Sequence, residues 1–123
     1  MEMKAILIVD DDQSFRTLVR RVLETSAYHL KAAENGVQAL SHLRRSQVAL
    51  LITDLVMPER DGIETIIQAR KQHPGLKILA LSGARDSDQY LKVASLIGAD
   101  ATLDKSLVRE RLKNMVQSLL SQC

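Results

Sequence analysis

Aspartates directly follow two runs of aliphatic residues in the 123-residue sequence. Three aspartates, Asp10–Asp12, come directly after Ala5–Val9, and Asp54 comes directly after Val48–Thr53. Carboxylates that lie together repel one another, which raises their pKa values unless a cation neutralises them. Oxygen ligands without histidine or cysteine favour a hard ion such as Mg²⁺, which uses one or two carboxylates, water and substrate phosphate.

Two other polar residues follow aliphatic runs in the same way. Ser82 comes after Lys77–Leu81, and Lys105 comes two residues after Ala99–Leu103. A lysine and a hydroxyl suit a phosphoryl group, because the lysine supplies positive charge and the hydroxyl a hydrogen bond. The four polar positions therefore indicate a site for a phosphoryl group and Mg²⁺.

Each residue also has a purely structural interpretation. A row of aspartates can cap a helix, and Asp12 is predicted to be the N-cap of the first helix. Taken alone, Lys105 would be a solvated charge and Ser82 a turn residue. The site hypothesis depends on all four positions falling at the same ends of four strands.

The elements that must position these residues alternate along the chain. Aliphatic runs predict the strands Ala5–Val9, Val48–Thr53 and Lys77–Leu81, while Tyr28–Ala33 is a weaker strand candidate and Ala99–Leu103 a fifth short strand. The segments after the strands repeat apolar residues at helical spacing, which predicts five helices. Unbroken aliphatic strands are typical of a parallel sheet buried on both faces, and the alternation predicts a doubly wound α/β fold. Ligands of such a sheet bind beyond the carboxyl ends of its strands.

Length and composition limit the alternatives. The length of the chain predicts a single domain over residues 1–123. The only cysteine is Cys123, so the sequence offers neither a disulfide framework nor a cysteine-based zinc site. No apolar run approaches the roughly 18 residues of a membrane span, and the N-terminus is not typical of a signal peptide. Three aromatic residues are too few to form a stacking surface for nucleic acid. A net charge of +2 is too small to indicate nucleic-acid binding. We expect a cytoplasmic protein with no membrane contact and no direct nucleic-acid contact.

Four stretches resemble the receiver domain of two-component response regulators. They are Ile6–Asp11, Thr53–Pro58 with Asp61-Gly62, Ser82-Gly83, and Gly98–Asp100 before Lys105. The resemblance covers nearly the whole chain in order, and its most specific part is Asp-x-x-Met-Pro-x-x-Asp-Gly. It implies a flavodoxin-like (βα)5 three-layer sandwich whose five-stranded sheet has the order 2-1-3-4-5.

The resemblance also implies a phosphorylation-dependent signalling switch with inactive and active conformations. Asp54 would accept a phosphoryl group from a histidine kinase or histidine phosphotransfer protein, in a reaction that the domain itself catalyses. Lys105 would pair with the phosphoryl oxygens, and Ser82 would move to hydrogen-bond them. The implied groups around Mg²⁺ are Asp10 (through water), Asp11, Asp54 and the carbonyl of Val56.

Three departures from the family pattern are visible. Thr102 stands where receivers usually carry an aromatic switch residue. Ser106 follows the lysine where receivers usually have a cis proline, and we expect a trans peptide there because a non-proline cis bond costs about 2.5–4 kcal/mol. Val56 and Ala84 are apolar where other members often carry polar groups that assist a hydrolytic water, which predicts a long-lived phosphoryl group.

Two aromatic residues are candidates for contact with partner proteins. Phe15 is either a docking residue for the histidine-bearing partner or part of the core. Tyr90 opens the fourth helix, on the face that receivers use for output or for a homodimer through helix 4, strand 5 and helix 5. The downstream effector is not indicated by the sequence.

Two other functions remain open. A degenerate receiver would act as an unphosphorylated interaction module, which Thr102 and Ser106 slightly favour. A small haloacid-dehalogenase-type phosphohydrolase would use Asp10 as nucleophile and Asp12 as general acid, but it leaves Asp54 unexplained.

Overall fold

Strands and helices alternate through the chain in the computed structural model, which describes residues 3–25, 27–56, 62–83 and 87–121. Of Ser87 and Tyr90 only the backbone is described. The strands are β1 (Lys4–Val9), β2 (Tyr28–Ala33), β3 (Leu50–Asp54), β4 (Lys77–Ser82) and β5 (Ala101–Asp104). The α-helices are α1 (Gln13–Leu23), α2 (Gly36–Arg45), α3 (Gly62–Gln72), α4 (Ser87–Ile97) and α5 (Val108–Ser121). A 3-10 turn, Lys105–Leu107, precedes α5.

The strands form one parallel sheet in the order β2-β1-β3-β4-β5. This confirms the predicted doubly wound, flavodoxin-like fold and its strand order. The central strand β3 is buried along its whole length, since helices cover both faces of the sheet.

Side chains of β1 alternate between the two layers that flank the sheet. Leu7 and Val9 pack in the layer of α2, α3 and α4, whereas Ile6 and Ile8 pack in the layer of α1 and α5. Each layer therefore has its own apolar core, and the strand ends are left to carry the polar groups.

Three strands extend at their carboxyl ends to polar residues that the aliphatic runs excluded, and β4, predicted as Lys77–Leu81, includes Ser82. β3 was predicted as Val48–Thr53, but it begins at Leu50 and includes Asp54, which pairs with Leu81. β5 was predicted as Ala99–Leu103, but it begins at Ala101 and includes Asp104, because the N–H of Ala99 still bonds to the end of α4. The carboxyl ends of all three strands thus lie one residue further along the chain than predicted.

Glycine and asparagine mark helix ends. Gly98 follows α4 with φ 124°, the left-handed backbone expected of a C-cap glycine. Asn35 caps α2, because its side-chain oxygen accepts the N–H of Gln38. Within the described part of the chain, no helix combines the length and the apolar character needed to cross a membrane.

Candidate functional site

The sheet brings the predicted carboxylates together at its carboxyl edge. Val9 is in register with Thr53, so Asp10 and Asp54, the next residues of each chain segment, are neighbours. One carboxylate oxygen from each of Asp10, Asp11 and Asp54 lies within 4.8 Å of the others. Asp10 and Asp54 are buried, with 1% and 5% of their surface exposed, whereas Asp11 is exposed.

Asp12 has a different role from the three clustered aspartates. Its Oδ1 accepts the N–H groups of Ser14 at 2.9 Å and Phe15 at 3.4 Å, which makes it the N-cap of α1, as predicted. The N–H of Asp12 donates to Asp10 Oδ1 at 2.9 Å. The residue that the phosphohydrolase alternative needs as a general acid is therefore a capping residue.

Lys105 lies between the two buried carboxylates. Its Nζ is 2.7 Å from Asp10 Oδ2 and 3.3 Å from Asp54 Oδ2. It also lies 4.4 Å from the centroid of the Phe15 ring. Burial would lower the pKa of Lys105, but the hydrogen bond that Lys105 donates to Asp10 and the charge of Asp54 outweigh it, and the pKa is raised. Lys105 is thus a cation at neutral pH.

One lysine does not balance the carboxylates around it. Burial raises the pKa of Asp54, the charge of Asp10 adds to the rise, and Lys105 opposes it. Burial likewise raises the pKa of Asp10 against the opposing hydrogen bonds of Lys105 and Asp12. Among the described residues, three clustered carboxylates are paired with one cation, Lys105, which leaves an excess of negative charge. This donor set of oxygens fits a hard divalent cation such as Mg²⁺.

Ser82 ends β4 beside this cluster. It is completely buried, and its Oγ has no hydrogen-bond partner among the described residues. A buried hydroxyl without a partner is costly, which makes Ser82 a candidate donor to a group bound at this edge of the sheet. The next residue, Gly83, packs on the stem of Lys105, since a Cβ there would lie 3.2 Å from Lys105 Cδ.

Val56 lies two residues beyond Asp54. Its N–H donates to Asp54 Oδ1 at 3.4 Å, and its side chain is 47% exposed. The role of its carbonyl as a metal ligand stays a prediction. Met57, Pro58, Asp61 and Ala84, which the sequence singled out, lie outside the described residues.

Thr102 and the end of β5 depart from the family pattern as the sequence indicated. Thr102 is a half-buried residue in register with Ala80. The peptide bond between Lys105 and Ser106 is trans, as predicted. Asp104 accepts the N–H of Ser106 at 2.9 Å and so caps the 3-10 turn that follows.

Of the two predicted partner residues, the structure describes the side chain of Phe15 but not that of Tyr90. Phe15 is half-buried and packs against the core layer of α1 and α5. Tyr90 belongs to α4, but its side chain lies outside the described residues.

Arg16 is a site residue that sequence reasoning missed. Its Nη1 donates to the Asp10 carbonyl at 2.6 Å, which ties the first turn of α1 to the strand end. In the sequence it stands among several arginines of a helix, so only the fold distinguishes it from a solvated charge.

Comparison with known proteins decides the family. The family model for the response regulator receiver domain matches residues 6–117, nearly the whole chain. The chain belongs to this family. The receiver domain is 41% identical over 119 residues to the response regulator receiver protein CpdR of Brucella abortus, covering 95% of this chain and 94% of that protein. It is 40% identical over 116 residues to the response regulator MprA of Mycobacterium leprae, covering 94% of this chain but only 50% of MprA.

Solved structures agree with the receiver assignment. The response regulator TrrA of Thermotoga maritima, solved in complex with Mg(2+)-BeF, has 33% identity and a TM-score of 0.82, with 96% of this chain and 100% of TrrA covered. The chemotaxis protein CheY4 of Vibrio cholerae has 27% identity and a TM-score of 0.86, with 97% and 100% covered. Receiver domains of two-component systems are phosphorylation-dependent switches that bind Mg²⁺ at an acidic pocket. They interact with histidine kinases or phosphotransfer proteins and with downstream effectors.

Proposed function

We propose that this receiver domain accepts a phosphoryl group on Asp54 from a phosphohistidine of a histidine kinase or phosphotransfer protein. The observation that carries the proposal is that the Lys105 ammonium lies 3.3 Å from the buried Asp54 carboxylate while it is also paired with Asp10 at 2.7 Å. The carboxylate is the nucleophile, and the lysine is the cation nearest to it among the described residues.

In the proposed reaction, an oxygen of the Asp54 carboxylate forms a bond to phosphorus while the bond between phosphorus and the histidine nitrogen breaks. The electron pair of the broken bond returns to the imidazole, which takes up a proton from solvent. Lys105 pairs with the phosphoryl oxygens and offsets the charge that gathers as the reactants meet.

Mg²⁺ would be held by Asp11 and Asp54 directly, by Asp10 through water and by the carbonyl of Val56. When bound, it would supply positive charge beside the phosphoryl oxygens. The excess negative charge of the three carboxylates over the single lysine supports this assignment.

Ser82 connects the reaction to a conformational change. Its buried hydroxyl has no partner among the described residues, and a phosphoryl group on Asp54 would offer oxygens for it to donate to. A ligand shifts a two-state equilibrium by its differential affinity for the two states. The hydrogen bond of Ser82 would favour the state in which the end of β4 lies closer to Asp54.

Without an aromatic residue at Thr102, the face formed by α4, β5 and α5 would respond to Ser82 and Lys105 rather than to a flipping ring. A homodimer through this face and a downstream effector are both compatible with that arrangement.

Intact mass after incubation with Mg²⁺ and acetyl phosphate tests the proposal. We expect wild-type protein to gain the mass of one phosphoryl group, and Asp54→Asn and an EDTA-treated sample to gain none. No gain in the wild type would favour the unphosphorylated interaction module, and a gain in Asp54→Asn would contradict Asp54 as the acceptor.

A further inference from the structure

The aromatic ring of Phe15 faces the charged end of Lys105. We propose that Phe15 is a positioning residue whose ring holds the Lys105 ammonium against the two buried carboxylates before a phosphoryl group arrives. This inference rests on the proposed function for its role in phosphoryl transfer, whereas the contact itself belongs to the unphosphorylated protein.

The distance is that of a cation–π interaction. Lys105 Nζ lies 4.4 Å from the Phe15 ring centroid, within the range of about 6 Å over which a ring face attracts a cation. The side chain of Lys105 is 21% exposed, so the interaction is only partly screened by water. Asp10 and Asp54 lie at 2.7 and 3.3 Å from the same nitrogen, and the ring adds an attraction that neither carboxylate supplies.

The backbone fixes where the ring can lie. Phe15 is in the first turn of α1, and its N–H donates to Oδ1 of the N-cap Asp12. Its side chain packs against the core layer that also contains Val19 and Val108. The ring is thus held by its own helix and by this core layer, and it cannot follow a moving lysine freely.

Gly83 restrains the methylene stem of Lys105. A Cβ at Gly83 would lie 3.2 Å from Lys105 Cδ, so the lysine stem runs directly over this glycine. The stem is restrained by Gly83 and the ammonium by Phe15 and Asp10. A lysine otherwise has many rotamers, and ordering it in advance lowers the entropy cost of bringing the charge to the reacting group.

Two variants separate the ring's electrostatics from its bulk. Phe15→Leu keeps an apolar side chain in the same layer but removes the π face, whereas Phe15→Tyr keeps the face. At saturating acetyl phosphate and Mg²⁺, we expect the phosphorylation rate constant of Phe15→Leu to fall roughly five- to tenfold, with an unchanged KM for acetyl phosphate. Phe15→Tyr should restore a rate within about twofold of wild type.

Val22→Ala is the control for a purely structural effect, since Val22 lies on the same helix and packs in the same layer. It should lower the thermal midpoint while leaving the rate constant unchanged. Equal rates in Phe15→Leu and wild type, or a rate loss in Val22→Ala as large as that in Phe15→Leu, would overturn the proposal.

NMR of the unphosphorylated protein tests the contact without activity. The ring current of Phe15 should shift the methylene protons next to Lys105 Nζ upfield, and Phe15→Leu should return them toward random-coil positions. Unshifted protons in wild type would overturn the positioning role even if Asp54 is phosphorylated. If the shift is present but wild type gains no phosphoryl group, the proposed function fails while the contact stands.

Discussion

Lys105 Nζ lies 2.7 Å from Asp10 Oδ2, so the lysine from the end of β5 is paired with the first aspartate after β1. This ion pair crosses β3 and β4, which lie between the two strands in the sheet. It holds the lysine at the centre of the carboxyl edge. Asp54 lies under the same ammonium at a longer distance, 3.3 Å.

The raised pKa of Asp54 makes the free carboxylate a source of instability. Burial favours its protonated form, so its contribution to stability is fully present below the ordinary pKa of about 4 and is lost as pH rises through the raised value. Asp54→Asn removes this loss. We expect thermal unfolding in EDTA to give a higher midpoint for the variant at neutral pH, with the gap closing toward pH 4.

Addition of Mg²⁺ should narrow or reverse that gap, because the ion binds the wild-type carboxylate more strongly than the amide. A variant that is less stable than wild type in EDTA at neutral pH would show that the pairing with Lys105 outweighs the cost of burial.

Gly62 lies against the backbone of Asp54 at the start of α3. A Cβ there would overlap the Asp54 carbonyl oxygen and crowd the Cα of Leu55. We expect Gly62→Ala to lower the free energy of unfolding by about 2 kcal/mol or more, measured by urea denaturation. Gly75→Ala is the matched control, since nothing lies within 4 Å of its added Cβ, and it should stay close to wild type.

Arg70 joins the ends of α3 and α4. Its Nε and Nη2 donate to the carbonyl of Gly98, Nη2 also donates to Asp100 Oδ2, and Nη1 donates to the carbonyls of Pro74 and Leu76. Arg70→Met leaves several of these acceptors without a partner. We expect a loss of about 2–3 kcal/mol in urea denaturation.

Arg111→Met on the exposed side of α5 controls for the removal of a charge and should change stability by less than about 0.5 kcal/mol. Equal losses in the two variants would argue against the Arg70 network.

Replacement of Ser82 should slow phosphorylation without lowering the stability of the fold. Its buried Oγ has no partner among the described residues, so Ser82→Ala removes an unsatisfied group and should not lower the thermal midpoint. Phosphorylation by acetyl phosphate should slow about tenfold, as expected for the loss of one hydrogen bond to a charged group. Thr53→Val offers the contrast, because the Thr53 hydroxyl donates to the Asp54 carbonyl at 3.0 Å and its loss should lower the midpoint.

Val56 should govern the lifetime of the phosphoryl group. Its half-exposed apolar side chain cannot hold a water beside Asp54 by hydrogen bonding. We expect a wild-type lifetime of minutes or longer, and Val56→Asn should shorten it several-fold. Decay is followed by intact mass after removal of the phosphodonor, and a wild-type lifetime of seconds would contradict the prediction.

The sequence was sufficient for the sheet because its pattern is local. The strands β1, β3 and β4 are largely aliphatic runs, β2 and β5 are weaker patterns, and each helix repeats apolar residues at helical spacing, so the existence of the elements and their order along the chain could be predicted. Asp10, Asp54, Ser82 and Lys105 could be assigned to one edge, because parallel strands that alternate with helices all end on the same side. Asp12 could be assigned as a cap from its position before α1 alone.

Only the tertiary structure decided how these residues meet. The register of β3 with β4 includes Asp54 in its strand, which no hydrophobic pattern indicates, since a carboxylate resembles the loop that follows. The roles of Arg16 and Arg70 depend on carbonyls of other elements, because an arginine is neutral in a helical pattern until its acceptors are known. The contact of Phe15 with Lys105 joins α1 to the end of β5, and a distance between residues so far apart in the chain is set by packing rather than by any local preference.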